Sequence, residues 1–185
     1  MIEPEESLFI IKYDVMSQPG KVNKQVQAIL AKADLEIKEI HRMRLMRELV
    51  EKHYDKDDQW KQKFDQMHME NAKAEFNVDP SAVYKAESAM EIGEALYKIL
   101  IDGHTGTRAI AMRVCGKDCV ARLRALQGGL VKPAPDTLRG MFQKMPLLEA
   151  VVKKLPWPGM FHASNSVEAA KKELALFGFA KQRED

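Results

Sequence analysis

The stretch Leu8-Phe9-Ile10-Ile11-Lys12-Tyr13-Asp14, "LFIIKYD", joins four consecutive apolar residues to a lysine, a tyrosine and an aspartate. A run that is apolar at every position, rather than at every second one, suits a strand buried on both faces, and so a central strand of a sheet. Its end carries charge. Downstream, Pro19-Gly20 breaks the chain, and Val22, Val26, Ile29 and Leu30 then recur at helical spacing until Ala33-Asp34 closes the helix. From Leu35 to Leu45 the residues alternate, with Leu35, Ile37 and Ile40 apolar and Lys38 and Glu39 between, which predicts a second strand. A short helix follows from about Met46 to Tyr54.

Residues 55–102 read as a helical insertion. Trp60, Phe64 and Met67 recur at helical spacing, Asn77-Val78-Asp79-Pro80 stops one helix and starts another, and Ile92, Ala95, Leu96, Ile99 and Leu100 form a stripe ended by Gly103. Core packing is the ordinary role of such stripes. Arg108 to Val114, "RAIAMRV", is the third strand, and a helix from Lys117 to Gln127 ends at Gly128-Gly129. After a Pro-rich loop, Met160 to Ala163 is short enough to be a last strand. Asn165 with Glu168 fits a capping box, which starts a helix at Ser166 that runs to about Leu176. Strand, helix, strand, helices, strand, helix, strand, helix predicts an α+β fold: a ferredoxin-like βαββαβ sandwich, its antiparallel sheet covered by helices on one face.

The bulk composition sets limits. A chain of 185 residues suits one domain, 1–185, and 45% hydrophobic with 30% charged residues is ordinary for a globular protein. A net charge of +2 implies no strong field for polyanions or membranes, though a local cationic cluster stays open. Cys115 and Cys119 have no second pair at zinc spacing and read as reduced thiols. His41, His53, His68 and His104 lack carboxylate or cysteine partners at ligand spacing, so no protein-held metal is expected. The acidic start "MIEPEESLFII" is unlike a signal peptide, and no segment nears the ~20 apolar residues of a membrane span. A soluble, cytoplasmic protein without a specific nucleic-acid partner is expected.

Taken singly, the polar residues have plain roles. Lys12 reads as a strand-end charge, Tyr54 as a ring closing a helix, Glu173 as a solvated helix charge, and His162 in "FHASNSVE" as a packed ring. Arg122 and Arg124 are two apart on one helix and so face different ways. Arg139, in an otherwise apolar loop, needs a partner.

Five stretches in order resemble the nucleoside diphosphate kinase family over nearly the whole chain. "LFIIKYDV" resembles the family's first strand, which ends in I-K-P-D, with Lys12 at the lysine and Tyr13 at the proline. "EKHYDK" is similar to its short lid helix, with Tyr54 as the tyrosine that approaches the phosphates. "GKDCVARLRALQGG" resembles its arginine helix, Arg124 standing eight residues after Gly116 and four before Gly128. "PDTLRG" resembles P-G-T-I-R-G and brings in Thr137 and Arg139. "HASNSVEAAKKE" is similar to the phosphohistidine motif H-G-S-D-S-x-E-x-A-x-x-E. This resemblance implies a longer, insertion-bearing bacterial-type member, with His162 as nucleophile, Ser164 and Glu173 as its supports, and Lys12, Tyr54, Arg124, Thr137 and Arg139 on the nucleotide. It further implies ping-pong transfer of a γ-phosphate from a nucleoside triphosphate to a diphosphate, Mg²⁺ bound through nucleotide phosphates, and a homo-oligomer. The chain departs from the family at Gly159, Ala163 and Asn165 around the histidine, and at Leu130. Its base-stacking phenylalanine has no counterpart, with Trp60 and Phe64 as candidates. Those departures keep open a non-catalytic relative that serves assembly or nucleotide sensing. An RNA-binding sheet would need aromatics exposed on the central strands, and "RAIAMRV" and "LEIKEI" supply none.

Overall fold

Strand β1 covers Glu5–Lys12 and is buried from Ser7 through Lys12, as an uninterrupted apolar run requires. The computed structural model describes residues 4–12, 19–55, 61, 74, 77–130, 133–143, 145, 147–153, 155 and 159–179. Trp60, Phe64, Met67 and His68 lie outside the described residues, as does Tyr13. Strands β2 (Glu36–Arg44), β3 (Arg108–Gly116) and β4 (Phe161–Ala163) complete a four-stranded sheet of order β2-β3-β1-β4, antiparallel throughout. This is the ferredoxin-like arrangement that the element order implies.

Alternation along β1 divides the two faces. Phe9 and Ile11, with their neighbours Ile110, Met112, Phe161 and Ala163, pack against Val22, Val26 and Leu30 of α1 (Pro19–Lys32). The same core takes in Leu123 of a later helix, Cys119–Gln127. Leu8, Ile10 and Lys12 turn to the opposite face, where Ile10 pairs with His162. Ile37 and Ile40 are three apart, so a regular strand would put them on opposite faces. A bulge between Ile37 and Glu39 absorbs the extra residue and returns both to the core.

Helix starts and ends differ from the sequence reading at four places, each for a local reason. Pro19 and Gly20 do not break the chain but open α1, because the first helical turn leaves N–H groups unbonded and proline lacks one. α2 (Arg47–His53) precedes α3 (Pro80–Tyr84), which Asp79 caps by accepting from Ser81 N–H at 3.0 Å, and α4 (Ala89–His104). α4 passes through Gly103 instead of stopping there, and the positive φ of +77° falls on Gly106. α5 (Cys119–Gln127) starts two residues later than Lys117, because Asp118 takes a left-handed φ of 49° in the turn from β3. α6 (Leu138–Phe142) and α7 (Leu147–Val152) precede β4, and α8 (Val167–Leu176) follows it. The cap of α8 is Ser166 and not Asn165: Ser166 has extended backbone, and its Oγ accepts from Ala169 N–H at 3.0 Å.

Helices do not cover only one face. α8 reaches the face opposite α1 and α5, as the hydrogen bond that Glu173 accepts from His162 shows. The chain divides into two compact units, Met1–Leu45 with Gly106–Gln143 and Gly159–Asp185, and Met46–Thr105 with Lys144–Pro158. The first holds the sheet. In the second, Arg47 joins Glu51 at 2.8 Å and Asp102 at 2.9 Å, linking α2 to α4. No helix among the described residues is long and apolar enough to cross a membrane.

Phe9 is fully buried on β1, the strand paired with β4, and stacks on Phe161 with ring centroids 6.0 Å apart. Truncating it as Phe9→Ala is expected to cost about 3–5 kcal/mol. Urea unfolding of the purified variant measures this, as a lower midpoint at unchanged slope.

Candidate active site

His162 is the middle residue of a three-residue strand, between Phe161 and Ala163, which point into the core. Strand alternation therefore turns its ring to the opposite face, beside the buried end of β1. Glu173 reaches it from the second turn of α8: Oε2 lies 2.9 Å from His162 Nε2 and accepts a 2.6 Å hydrogen bond from Ser164 Oγ. Ser164 also accepts from Leu8 N–H at 3.3 Å, so one hydroxyl ties β1 to the helix carboxylate. A carboxylate can only accept, which places a proton on Nε2 and leaves the lone pair of the neutral ring on Nδ1.

Two cations act on this ring. Lys12 ends β1 only 5% exposed, and its backbone N–H donates to Met160 O at 2.7 Å. Burial, reinforced by the Arg139 guanidinium, holds the Lys12 ammonium well below its ordinary value. Arg139, on α6, donates to Gly128 O at 2.7 Å and to Phe161 O at 3.1 Å. Burial is also the largest influence on His162, and lowers it. The Glu173 hydrogen bond and charge oppose this, and Lys12 and Arg139 add to it. The net direction is down from 6.5, so the ring is neutral at pH 7.

The loop beneath Arg139 is shaped by close approach. Gly128 has φ +83°, and a Cβ there would stand 2.2 Å from Thr137 Oγ1. At Gly140 a Cβ would meet Ala134 O at 2.0 Å, which is backbone and cannot yield. Thr137 caps α6, accepting from Gly140 N–H at 3.2 Å and donating to Ala134 O at 2.6 Å. In the protein alone its hydroxyl therefore organises the loop that presents Arg139.

Lys12, Arg139, Ser164, Glu173 and His162 act on one another within the first unit. Arg124 stands exposed on α5, whereas Arg122 is half-buried and donates to Ala33 O. Tyr54 belongs to the second unit. It closes α2, with its ring 4.5 Å from that of His53 and 5.4 Å from that of His104. Sequence reasoning missed Gln127, which is 4% exposed and donates to Phe161 O at 2.8 Å, the same carbonyl that Arg139 holds. Its spacing of four from Leu123 on a core-facing stripe was the available signal. His41 does have a carboxylate partner, Glu39 at 2.9 Å, because residues two apart on a strand share a face.

No family model matches the chain. A nucleoside diphosphate kinase of Rhodococcus opacus (strain B4) is 32% identical over 106 residues, 56% of this chain and 69% of that relative. An NDP kinase from Pyrobaculum aerophilum has a similar structure, with a TM-score of 0.83 at 24% identity over 98% of both chains. A nucleoside-diphosphate kinase from Borrelia burgdorferi, solved as a transition-state mimic with bound vanadate and ADP, gives a TM-score of 0.67 at 19% identity. That likeness covers 100% of this chain and 91% of the other.

The opposing influences on the ring give a sign to test. Glu173→Gln keeps a hydrogen-bonding group beside Nε2 but removes the charge that holds the imidazolium. The His162 ring, followed by NMR titration, is expected to protonate below 6.5 in the wild type and at still lower pH in the variant. A midpoint that rises in the variant would overturn the assignment of Glu173 as the supporting charge.

Proposed function

The chain belongs to the nucleoside diphosphate kinase family, and from that premise we propose that it transfers the γ-phosphate of a nucleoside triphosphate to a nucleoside diphosphate through phospho-His162. The observation that carries this reading is the 2.9 Å contact between Glu173 and His162 Nε2, on a ring that burial keeps neutral. With Nε2–H held, the Nδ1 lone pair attacks the γ-phosphorus, the bond to the β-phosphate oxygen breaks, and the diphosphate leaves. An acceptor diphosphate then attacks the same phosphorus with a terminal oxygen, the P–N bond breaks, and His162 returns to its neutral form.

Positive charge develops on the ring as Nδ1 bonds to phosphorus. Glu173 stabilises that charge without moving, and Ser164 fixes the carboxylate by its 2.6 Å hydrogen bond. Lys12 and Arg139 neutralise the transferring phosphoryl oxygens. Arginine suits this because its planar group can grip two oxygens at once. Arg124 is assigned to the remaining phosphates, and Thr137 to the loop that carries Arg139.

Mg²⁺ fits this donor set as a companion of the substrate. The site's carboxylate, Glu173, is taken up by His162 and Ser164, so nucleotide phosphates rather than a protein cage would hold the ion. Self-association belongs to this reading as well, and sedimentation of the purified chain measures it.

Incubation with γ-labelled ATP and Mg²⁺ tests the mechanism. Acid-labile label is expected on wild type and absent from His162→Ala, and unlabelled wild type overturns the reading. Label that fails to pass to an added diphosphate selects instead a nucleotide-binding relative without turnover. Lys12→Ala is expected to slow label transfer on the order of 10²-fold, the usual loss when one preorganised charge is removed from a developing anion.

A further inference from the structure

The sheet face that carries His162 carries a second histidine at its far edge. Ile10 pairs with His162 on one side and with Ala111 on the other, and Ala111 pairs with His41. His41, Ala111, Ile10 and His162 thus form one row across all four strands, about 14 Å long at the usual strand spacing. Paired residues in a sheet share a face, so both imidazoles project to the same side.

Helix α8 is tied to both ends of this row. At one end Glu173 Oε2 meets His162 Nε2 at 2.9 Å. At the other, His41 Nδ1 lies 3.2 Å from the carbonyl oxygen of Phe177, the C-cap of α8. One helical turn joins the two contacts, because Phe177 N–H donates to the Glu173 carbonyl at 3.0 Å. The Phe179 ring lies flat on the His41 imidazole, with centroids 4.2 Å apart and planes 13° apart. Phe177 and Phe179 are each 3% exposed. A carbonyl and a carboxylate both only accept, so a His41 ring that bonds to both carries a proton on each nitrogen, Nδ1–H facing Phe177. Glu39 Oε1, 2.9 Å from Nε2, fixes the other side of the ring, and Arg113 approaches the second Glu39 oxygen at 3.9 Å.

We propose that His41 is a positioning residue for the phosphoryl transfer assigned above: it pins the last turn of α8 so that Glu173 stays in register with the His162 ring. The physical need is plain. α8 has ten residues, and its first turn is fixed by the Ser166 cap. Glu173 sits three residues before the helix end, where helices fray unless the end is held. A displacement near 1 Å at a reacting group is enough to cost on the order of 10²-fold in rate. His41 makes no contact with the ring it serves and acts through Phe177 and Glu173.

Three variants of the full chain separate this role from general packing. His41→Phe keeps a flat ring against Phe179 and loses the Nδ1 donor. His41→Asn places an amide N–H close to where Nδ1–H stood. His41→Gln reaches towards Glu39 alone, and takes the place of His41→Phe should that variant not fold. In single-turnover labelling from saturating γ-labelled ATP and Mg²⁺, His41→Phe is expected to slow phosphorylation of His162 about tenfold. Nucleotide affinity should be unchanged, and His41→Asn should recover most of the rate. Two-bond ¹H–¹⁵N spectra of the His162 imidazole give a second readout that needs no catalysis. The Nε2–H tautomer expected in wild type should be lost or mixed in His41→Phe and restored in His41→Asn. Wild-type rate with wild-type ring signals in His41→Phe overturns the proposal, as does equal loss in His41→Phe and His41→Asn. Should the wild type take no label, the kinase reading fails, while the ring spectra still decide the role of His41.

Discussion

The pairing of β4 with β1 is the constraint on which the site depends. β4 has three residues, and with side chains alternating, a slip of one place would bury His162 and bring Phe161 or Ala163 to the site. A strand so short cannot hold its register by backbone pairing alone. It is held instead by Phe161, whose ring packs 6.0 Å from Phe9 and 6.1 Å from Phe142. Its carbonyl takes hydrogen bonds from both Gln127 and Arg139. At the other end, Ser164 exchanges two hydrogen bonds with the backbone of Leu8. The groups that fix the His162 strand are therefore largely the groups around His162 itself.

This double use explains the chemistry of Arg139. A lysine at that position has the charge but not the planar fork, which holds Gly128 O through one nitrogen and Phe161 O through the other. The brace places a permanent positive charge beside the ring, and the glycines at 128 and 140 let the loop approach closely enough for it to form. Thr137 fits the same account, since its hydroxyl both caps α6 and closes on Ala134.

Much of this was legible in the sequence, and the unread part has a common cause. The apolar run of β1, the alternation of β2 and the glycine pair after α5 report local preference, and they gave the right elements in the right order. The resemblance of the His162 stretch to the phosphohistidine motif implied Glu173 as the support of the ring, where the residue taken singly read as a solvated charge. What local pattern did not reveal was pairing between distant strands. The bulge at β2, the cross-sheet row from His41 to His162 and the shared carbonyl of Phe161 each depend on registers set between segments far apart in the chain. The end of α4 and the cap of α8 were misplaced by one or two residues, because glycine and asparagine signal a boundary without fixing which neighbour takes the required backbone angles. Tyr54 was read as a helix-closing ring and does close α2.

The electrostatics then follow from burial. Lys12 and Arg139 repel each other, and both disfavour a charge on His162, which burial already resists. Alone, such a group of cations destabilises the fold it sits in, a cost that active sites commonly carry. A polyphosphate would compensate the repulsions among these groups, while the cost of burial stays. An anion between Lys12 and Arg139 offsets their repulsion, favours the protonated lysine, and meets a ring whose only adjacent negative charge among the described residues, Glu173, stands on the far side at Nε2. A neutral ligand would leave the repulsion in place, whereas the group that relieves it best is one with several negative oxygens about a single electrophilic centre, placed where Nδ1 has its lone pair.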